Sequence, residues 1–370
     1  MFKKNKNILF CALDIGGRME LYSSYLKNKY PARKIKTFAK YKLNKKHYQT
    51  SYDYHFNYIN QPAIVQYVIS FFFFIYALTQ FKVFYIISGE NILTRKLLKL
   101  ELRIYRSLNK TVVMHFVGGD IRNSERLIEK NRSLIDKSND QSKSASQLDF
   151  QFKLCRLAEK YADHLVVVSP DLIRFFEREV SYIPVFIDIE KFKEELNKVN
   201  IEETNNHQRK VILHAPSNPV LKGSDYIGSI LKELEQDGKV EAILTTDEKY
   251  RKFINPPYTV TKYELLKLYK LSDFVIDQIL IGWYGMQSIE SLLAGNNVIC
   301  LVNQELLKYI TLDCPIHLIT EENQLKSKIE ELVNVQAESL DLELVTKWVR
   351  KHHTIEENEE INQLFKTILN

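Results

Sequence analysis

Cysteine is scarce in this 370-residue chain, and what there is lies scattered: Cys11, Cys155, Cys300 and Cys314 form no pair with metal-ligand or redox spacing. Three of them sit in or beside apolar, strand-like runs, the usual setting of an inert buried thiol. Tryptophan is rare too, two residues against 21 Tyr and 20 Phe. The first strand-like run leads into Asp14-Ile15-Gly16-Gly17-Arg18-Met19, which lacks the G-x-G-x-x-G turn that a dinucleotide-dependent oxidoreductase needs. No internal repeat of solenoid length occurs. The opening MFKKNKNILFCALDIGG shows no leader cleavage site, so a cytoplasmic protein is expected, with a peripheral position at the inner face of the cell membrane as the refinement.

Acid is missing from one stretch altogether. Between Leu21 and Tyr52 there are nine Lys or Arg and no Asp or Glu, within a net charge of +6. Such a block attracts lipid headgroups, nucleic acid or phosphorylated substrates. No recognisable nucleic-acid module accompanies it, so nucleic acid is not expected. Soon afterwards comes a strongly apolar run, AIVQYVISFFFFIYAL at 63–78. It is shorter than the ~20 residues that span a bilayer, and Gln66 and Ser70 interrupt it. A buried helix is the first expectation, a helix with one face on a membrane surface the second, and a true span the third.

What is present is globular: 45% hydrophobic and 26% charged residues, enough chain for two or three domains. Apolar, β-branched runs at 7–13, 83–87, 111–117, 165–168 and 182–187 alternate with helical patterns at 18–27, 93–108 and 148–161, while 31–60 resists assignment. Ser169-Pro170-Asp171 has the form of a helix N-cap with Pro at the first position. The polar stretch 123–147 reads as a surface loop, and 195–209, polar and aperiodic, as an interdomain linker. A second series follows: strand 210–214, helix 223–236, strand 240–245, helix 262–271, strand 274–277, a glycine turn with its helix, strand 298–302, and helices at 326–333, 342–352 and 355–369. The pattern predicts α/β architecture with two successive open parallel sheets, whose ligands bind outside the carboxyl ends of the strands.

The stretch 277–295, DQILIGWYGMQSIESLLAG, carries the sharpest signal. A turn bracketed by Gly282 and Gly285 opens a helix, and such a turn offers amides and a positive helix end to an anion. Glu290, early in that helix, is placed for hydroxyls of the same ligand, although a carboxylate near a helix start is favourable without one. Upstream, His214-Ala215-Pro216-Ser217-Asn218 follows a strand, and Lys222-Gly223 opens the next helix in a way that suits a diphosphate. Alone, Lys222 reads first as a solvated lysine in a surface turn, and Asp277 and Gln278 read equally as turn formers. The predicted topology places Lys222, Asp277, Gly285 and Glu290 along one edge of one sheet.

Taken in order, these residues resemble the GT-B glycosyltransferases, specifically the large retaining family 4 class, over most of the chain. The best parts are HAPSNPVLKGSDYI (214–227), LSDFVIDQ (271–278) and GWYGMQSIESLLAGNNVI (282–299). The resemblance implies the GT-B fold, with two Rossmann-like doubly wound domains facing a cleft. These are an acceptor-side domain at 1–194, a linker at 195–209, a donor domain at 210–352, and a final helix, 353–370, packing back on the first domain. It implies transfer of a sugar from a nucleotide diphosphate sugar to a hydroxyl, with retention and without metal or other cofactor. Carried over, Glu290 holds the ribose, the Gly285, Met286 and Gln287 amides meet the diphosphate, Tyr284 lies in the turn, and Lys222 neutralises the leaving group. Gly16 and Gly17 match the family's N-terminal glycine loop. MHFVGGDIR (114–122) makes His115 and Asp120 candidates for orienting the acceptor; a histidine merely buried at a strand end is an equal reading of His115.

Two departures stand out. The first Glu of the family's acidic pair falls at Gly282, and the Arg expected five residues before the Lys is Ser217. His214, Ser217, Asn218, Asp277 and Gln278 are the candidates to compensate. The expected acceptor is a lipid-linked oligosaccharide or other glycan of bacterial surface polysaccharide synthesis, met at an anionic membrane through Lys40, Lys42, Lys45 and Lys46. The same departures support a second expectation, a weak or inactive GT-B protein that serves an active transferase as binding or scaffold partner.

Overall fold

The structure, a computed structural model, describes residues 6–40, 51–56, 61–122, 145–201, 209–247, 260–334 and 340–369. Its contacts divide the chain into two compact units, one of residues 1–123, 145–186 and 355–370, the other built on 187–354.

The first unit is organised by β1 (Ile8–Ala12) and β4 (Val83–Ile87), in which every residue is buried. Continuous apolar runs of this kind suit strands covered on both faces. The sheet order is β3-β2-β1-β4-β5-β6-β7, parallel throughout, with β2 at Ile35–Ala39, β3 at Tyr54–His55, β5 at Thr111–Phe116, β6 at His164–Val167 and β7 at Ser181–Tyr182. β2 and β3 come from the stretch that resisted assignment. β7 stops early because Pro184 supplies no amide to a ladder. Around the sheet lie α1 (Arg18–Lys29), α2 (Ala63–Gln80), α3 (Leu98–Ser107) and α4 (Ala145–Tyr161). The segment opened by Ser169-Pro170 forms a 3-10 helix, Pro170–Phe175, without a side-chain cap bond. Residues 123–144 of the expected loop lie outside the described residues, and its last three belong to α4.

Two expectations for this unit are corrected. The apolar run 63–78 is helical but not buried: Ser70, Phe73, Phe74 and Ala77 pack inward, while Ile64, Val68, Phe71, Phe72 and Ile75 are exposed. Lys40 is no surface cation. It is buried, its ammonium donates to the Leu93 carbonyl, and burial draws its pKa down against the pull of Glu90 and Glu101. Lys42, Lys45 and Lys46 lie outside the described residues.

The second unit begins with α5 (Ile189–Asn197), capped by Asp188 and anchored by Ile189, Phe192 and Leu196, so the polar stretch read as a linker starts inside a helix. Its parallel sheet has the order β12-β11-β10-β8-β9, with β8 at Lys210–His214, β9 at Val240–Leu244, β10 at Phe274–Ile276, β11 at Asn297–Leu301 and β12 at His317–Ile319. The helices are α6 (Ser224–Gln236), α7 (Lys262–Leu271), α8 (Met286–Leu293), α9 (Gln324–Asn334) and α10 (Leu342–His353). α7 opens on a capping box between Thr261 and Glu264. In each sheet the strand order reverses once, between β1 and β4 and between β8 and β10. The crevice at such a switch point is where open α/β sheets bind ligands.

The last helix, α11 (Glu359–Leu369), belongs to the first unit. It starts four residues later than its pattern predicts because the Asn358 carboxamide accepts from the Ile361 amide and fixes the helix start there. Its Ile361, Leu364, Phe365, Ile368 and Leu369 join the core of β1, β4 and α1, where the Phe365 ring lies 6.0 Å from Tyr22 and 6.2 Å from Tyr85. Phe365→Ala is expected to cost about 3 kcal/mol or more of stability in urea denaturation followed by circular dichroism. A change below ~1 kcal/mol would show that α11 is dispensable to that core.

Candidate functional site

The switch point of the second sheet holds a buried ion pair. Lys222 ends a helical turn, Pro219–Lys222, after β8, and Asp277 immediately follows β10. The Lys222 ammonium donates to Asp277 Oδ1 at 2.5 Å and to Gln287 Oε1 at 2.8 Å. Asp277 is fully buried, and its Oδ2 accepts from the Gly285 amide at 3.0 Å and from the Ser288 hydroxyl at 2.7 Å. Burial alone would raise its pKa. The charge and hydrogen bond of Lys222, with the Ser288 and Gly285 donors, outweigh burial and hold the carboxyl below its ordinary range.

This arrangement leaves donors over. An ammonium has three protons, and among the described residues Lys222 uses two. Met286 and Gln287 occupy the first two positions of α8, where the helix supplies no partner for an amide. The Gln287 carboxamide is oriented by Lys222 on its oxygen, and its Nε2 is buried without a partner among the described residues. The Gly285 amide, expected to face the ligand, instead serves Asp277. Gly223, next to Lys222, has φ +78° and a side-chain position that Ile279 already fills, so only glycine brings the two loops this close.

Glu290 lies one turn further along α8, nearly buried, where Lys262 donates to Oε1 and the Tyr269 hydroxyl reaches Oε2 at 3.4 Å. The Lys262 ammonium also stands 5.2 Å from the centre of the Phe192 ring. Gly282 has φ +82°, and a Cβ there would fall 2.2–2.5 Å from the side chain of Asn303, which follows β11. The space of the missing carboxylate is therefore occupied by an amide.

Several candidates prove structural. His214 is completely buried between two partners: Nδ1 donates to the Ile276 carbonyl at 2.9 Å and Nε2 accepts from the Ser224 hydroxyl at 2.8 Å, leaving nothing for a ligand. Tyr284 stacks on Trp283 and shares a 3.3 Å hydrogen bond with His353 of α10, so it belongs to the core of this unit. Gln278 is buried, and its carbonyl continues the sheet to Leu301. Ser217 and Asn218 are exposed; the Asn218 side chain accepts from the Leu221 amide and caps the turn that carries Lys222.

In the first unit, Gly16 and Gly17 both have φ +71° and form the turn between β1 and α1. The Asp14 carboxylate accepts from the Met19 amide at 3.1 Å, and the Arg18 guanidinium donates to the Ile15 carbonyl at 2.6 Å. His115 takes the buried reading. It is fully buried at the end of β5, stacked on Tyr22 with a centroid distance of 5.9 Å and bonded through Nδ1 to Tyr85 at 2.9 Å. Burial, and then the Arg18 charge, hold it neutral far below the usual histidine range. Its Nε2 has no partner among the described residues. The Asp120 carboxylate accepts from the Val117, Gly118 and Ile121 amides and so shapes the loop after β5. Sequence reasoning missed Ser288, Lys262, Tyr269, Asn303 and Arg18. The first is visible as a polar residue inside α8; the others carry no local signal.

No family model and no curated protein matches the chain. Solved structures do. HepE from Anabaena in complex with UDP-glucose aligns over 98% of this chain and 100% of that one, with TM-score 0.59 and 13% identity. Sucrose-phosphate synthase from Thermosynechococcus elongatus aligns over 99% of each chain at TM-score 0.58 and 12% identity. WaaG, a glycosyltransferase involved in lipopolysaccharide biosynthesis, aligns over 98% of this chain and 99% of that one at TM-score 0.53 and 12% identity. At such identities the likeness shows the fold, and the fold is GT-B, as the motifs led us to expect.

Two outcomes follow from the geometry. Gly282→Glu restores the carboxylate but forces a left-handed backbone and collides with Asn303, so a loss of about 2 kcal/mol or more is expected in urea denaturation. Adding Asn303→Gly should recover the crowding part and not the backbone part. His214, whose pKa burial depresses to about 4, binds its proton more weakly folded than unfolded. Its contribution is therefore complete above about pH 6.5 and is lost as pH falls through about 4, on the order of 3 kcal/mol in all. His214→Gln should be less stable at neutral pH and show a flatter profile across that window.

Proposed function

We propose that the chain is a glycosyltransferase that moves a sugar from a nucleoside diphosphate sugar to a hydroxyl acceptor, with the donor held by the second unit. The observation that carries this is the convergence of unspent donors at the switch point between β8 and β10: the remaining Lys222 proton, the Met286 and Gln287 amides, and the orphaned Gln287 Nε2. A set made only of donors fits an anion rich in acceptor oxygens, and a diphosphate is one. The GT-B fold and the UDP-glucose bound to HepE support the same reading.

In this mechanism the acceptor oxygen bonds to the anomeric carbon as the carbon–oxygen bond to the diphosphate breaks. The hydroxyl proton passes to the departing phosphate. Negative charge grows on the leaving group, and Lys222 and the start of α8 are already in place to receive it. In this reading Asp277 orients Lys222 without touching substrate. The positive charge comes from protein groups, so the reaction we propose is metal-independent. Attack from the face of departure gives retention, the stereochemistry of the resembled family 4. Glu290 takes the ribose hydroxyls through lone pairs that Lys262 and Tyr269 leave open. A glycan acceptor of bacterial surface polysaccharide synthesis is the class we favour, supported by the biosynthetic role of WaaG.

Calorimetric titration with UDP and UDP-glucose tests the reading. The double variant Lys222→Met/Asp277→Asn removes both charges together and so avoids an unpaired buried ion. It should fold and bind roughly 10- to 100-fold more weakly than wild type. A wild type that binds no nucleoside diphosphate or its sugar would sink the proposal and favour a non-catalytic partner protein.

A further inference from the structure

We propose that α2 lays one face into the headgroup layer of an anionic lipid bilayer, with the cations of α3 alongside it on the phosphates. This concerns the first unit and stands independently of the donor site.

The face is continuous. Ile64, Tyr67, Val68, Phe71, Phe72, Ile75 and Tyr76 recur at helical spacing, and their exposure runs from 39% for Tyr76 to 68% for Ile64. Soluble monomers seldom expose apolar patches beyond a few hundred Å², and those that do commonly use them for binding. The helix carries no charged residue. Its other face, Ser70, Phe73, Phe74 and Ala77, is packed within the unit, with Phe73 on Phe38 and Phe74 on Tyr105. The helix is thus fixed along the surface and can offer lipid one side only, which is the interfacial rather than the spanning mode.

Charge chooses the occupant. Across 61–122 the exposed charged residues are Arg95, which pairs with the buried Glu90, and Lys96, Lys99, Arg103 and Arg106; none of the acidic residues there, Glu90, Glu101 and Asp120, is exposed. α3, which carries Lys99, Arg103 and Arg106, neighbours α2 through the Phe74–Tyr105 contact and adds the exposed Leu100. On the other flank the Lys34 ammonium stands 5.8 Å from the Tyr76 ring. An apolar stripe edged by cations on both sides complements anionic headgroups. It is a poor surface for a second copy, because a two-fold interface would set the same cations against one another.

Vesicle flotation of the full chain tests this, using phosphatidylcholine vesicles with and without phosphatidylglycerol at low and high salt. Binding should require the anionic lipid and weaken with salt. Phe71→Glu/Phe72→Glu should lower it at least ~10-fold, and Lys96→Glu/Lys99→Glu/Arg103→Glu on the order of 100-fold at low salt. All five positions are exposed, and unchanged circular dichroism checks that the variants fold. Failure of wild type to float with anionic vesicles overturns the proposal. So does flotation of either variant like wild type, or a dimer in sedimentation that the phenylalanine variant dissolves. Nucleotide binding is read separately, so loss of one reading leaves the other standing.

Discussion

The second unit depends on a carboxylate that burial alone would neutralise. Asp277 has no solvent, and taking its charge and that of Lys222 out of water costs several kcal/mol for each ion. Offsetting that cost takes the Lys222 charge and the donors of Ser288 and Gly285 acting together. The pair therefore joins the start of α8, which lies outside the sheet, to the ends of the neighbouring strands β8 and β10. With Gly285 and Ser288 bound to the carboxylate and Gln287 to the ammonium, the first turn of α8 is held before any ligand arrives. In the proposed reaction that preorganisation is what makes unspent donors useful, since their geometry need not be assembled as the leaving group departs.

The first unit uses its switch point with a different chemistry. There the turn after β1 is made by two left-handed glycines, and the groups around it are Asp14, Arg18 and, deeper in the core, His115. Asp14 is pushed toward its neutral form by burial, which the Met19 amide and the Arg18 charge only partly oppose. His115 is kept neutral by burial and by the same arginine. The result is an arginine beside a neutral histidine and a carboxyl whose pKa burial raises, where the second unit has a compensated ion pair. Parallel topology reproduces the crevice in both sheets, and a handful of side chains decide what each can bind.

Most strands were legible because strands covered on both faces announce themselves as unbroken apolar runs, as in β1, β4 and β10. The glycine turn was legible because glycine, a strand end and a helix start fall within one short stretch. Partners were not. Lys222 and Asp277, or Lys262 and Glu290, lie far apart in the chain, and nothing local ties one to the other. His214 illustrates the same limit: a histidine after a strand reads as a ligand until both ring nitrogens are seen to be spent. α2 was misread for the opposite reason. Nearly every position from 63 to 78 is apolar, so the sequence has no periodicity to distinguish a face that packs from one that does not. The same pattern fits a core helix, an interfacial helix and a span, and only the packed positions Phe73, Phe74 and Ala77 separate them.

Gly282 has to be judged in that light. Read as a sequence, it is a lost carboxylate and an argument for decay. In the structure it is one half of a fitted pair. Its φ of +82° is a conformation glycine adopts at little cost, and the absent Cβ is what lets Asn303 lie against the turn, where its own amide binds the Gly282 carbonyl at 3.0 Å. A site merely losing function would keep the backbone of its carboxylate and drop the side chain. Here the backbone, the glycine and the asparagine agree with one another, so the turn is built around an amide. Among the described residues nothing comparable replaces the arginine expected at Ser217, so in the proposed reading the cationic share of donor binding rests on Lys222 and the helix start. That places more of the binding on the ion pair at the switch point, and makes its preorganisation the property on which the proposed chemistry turns.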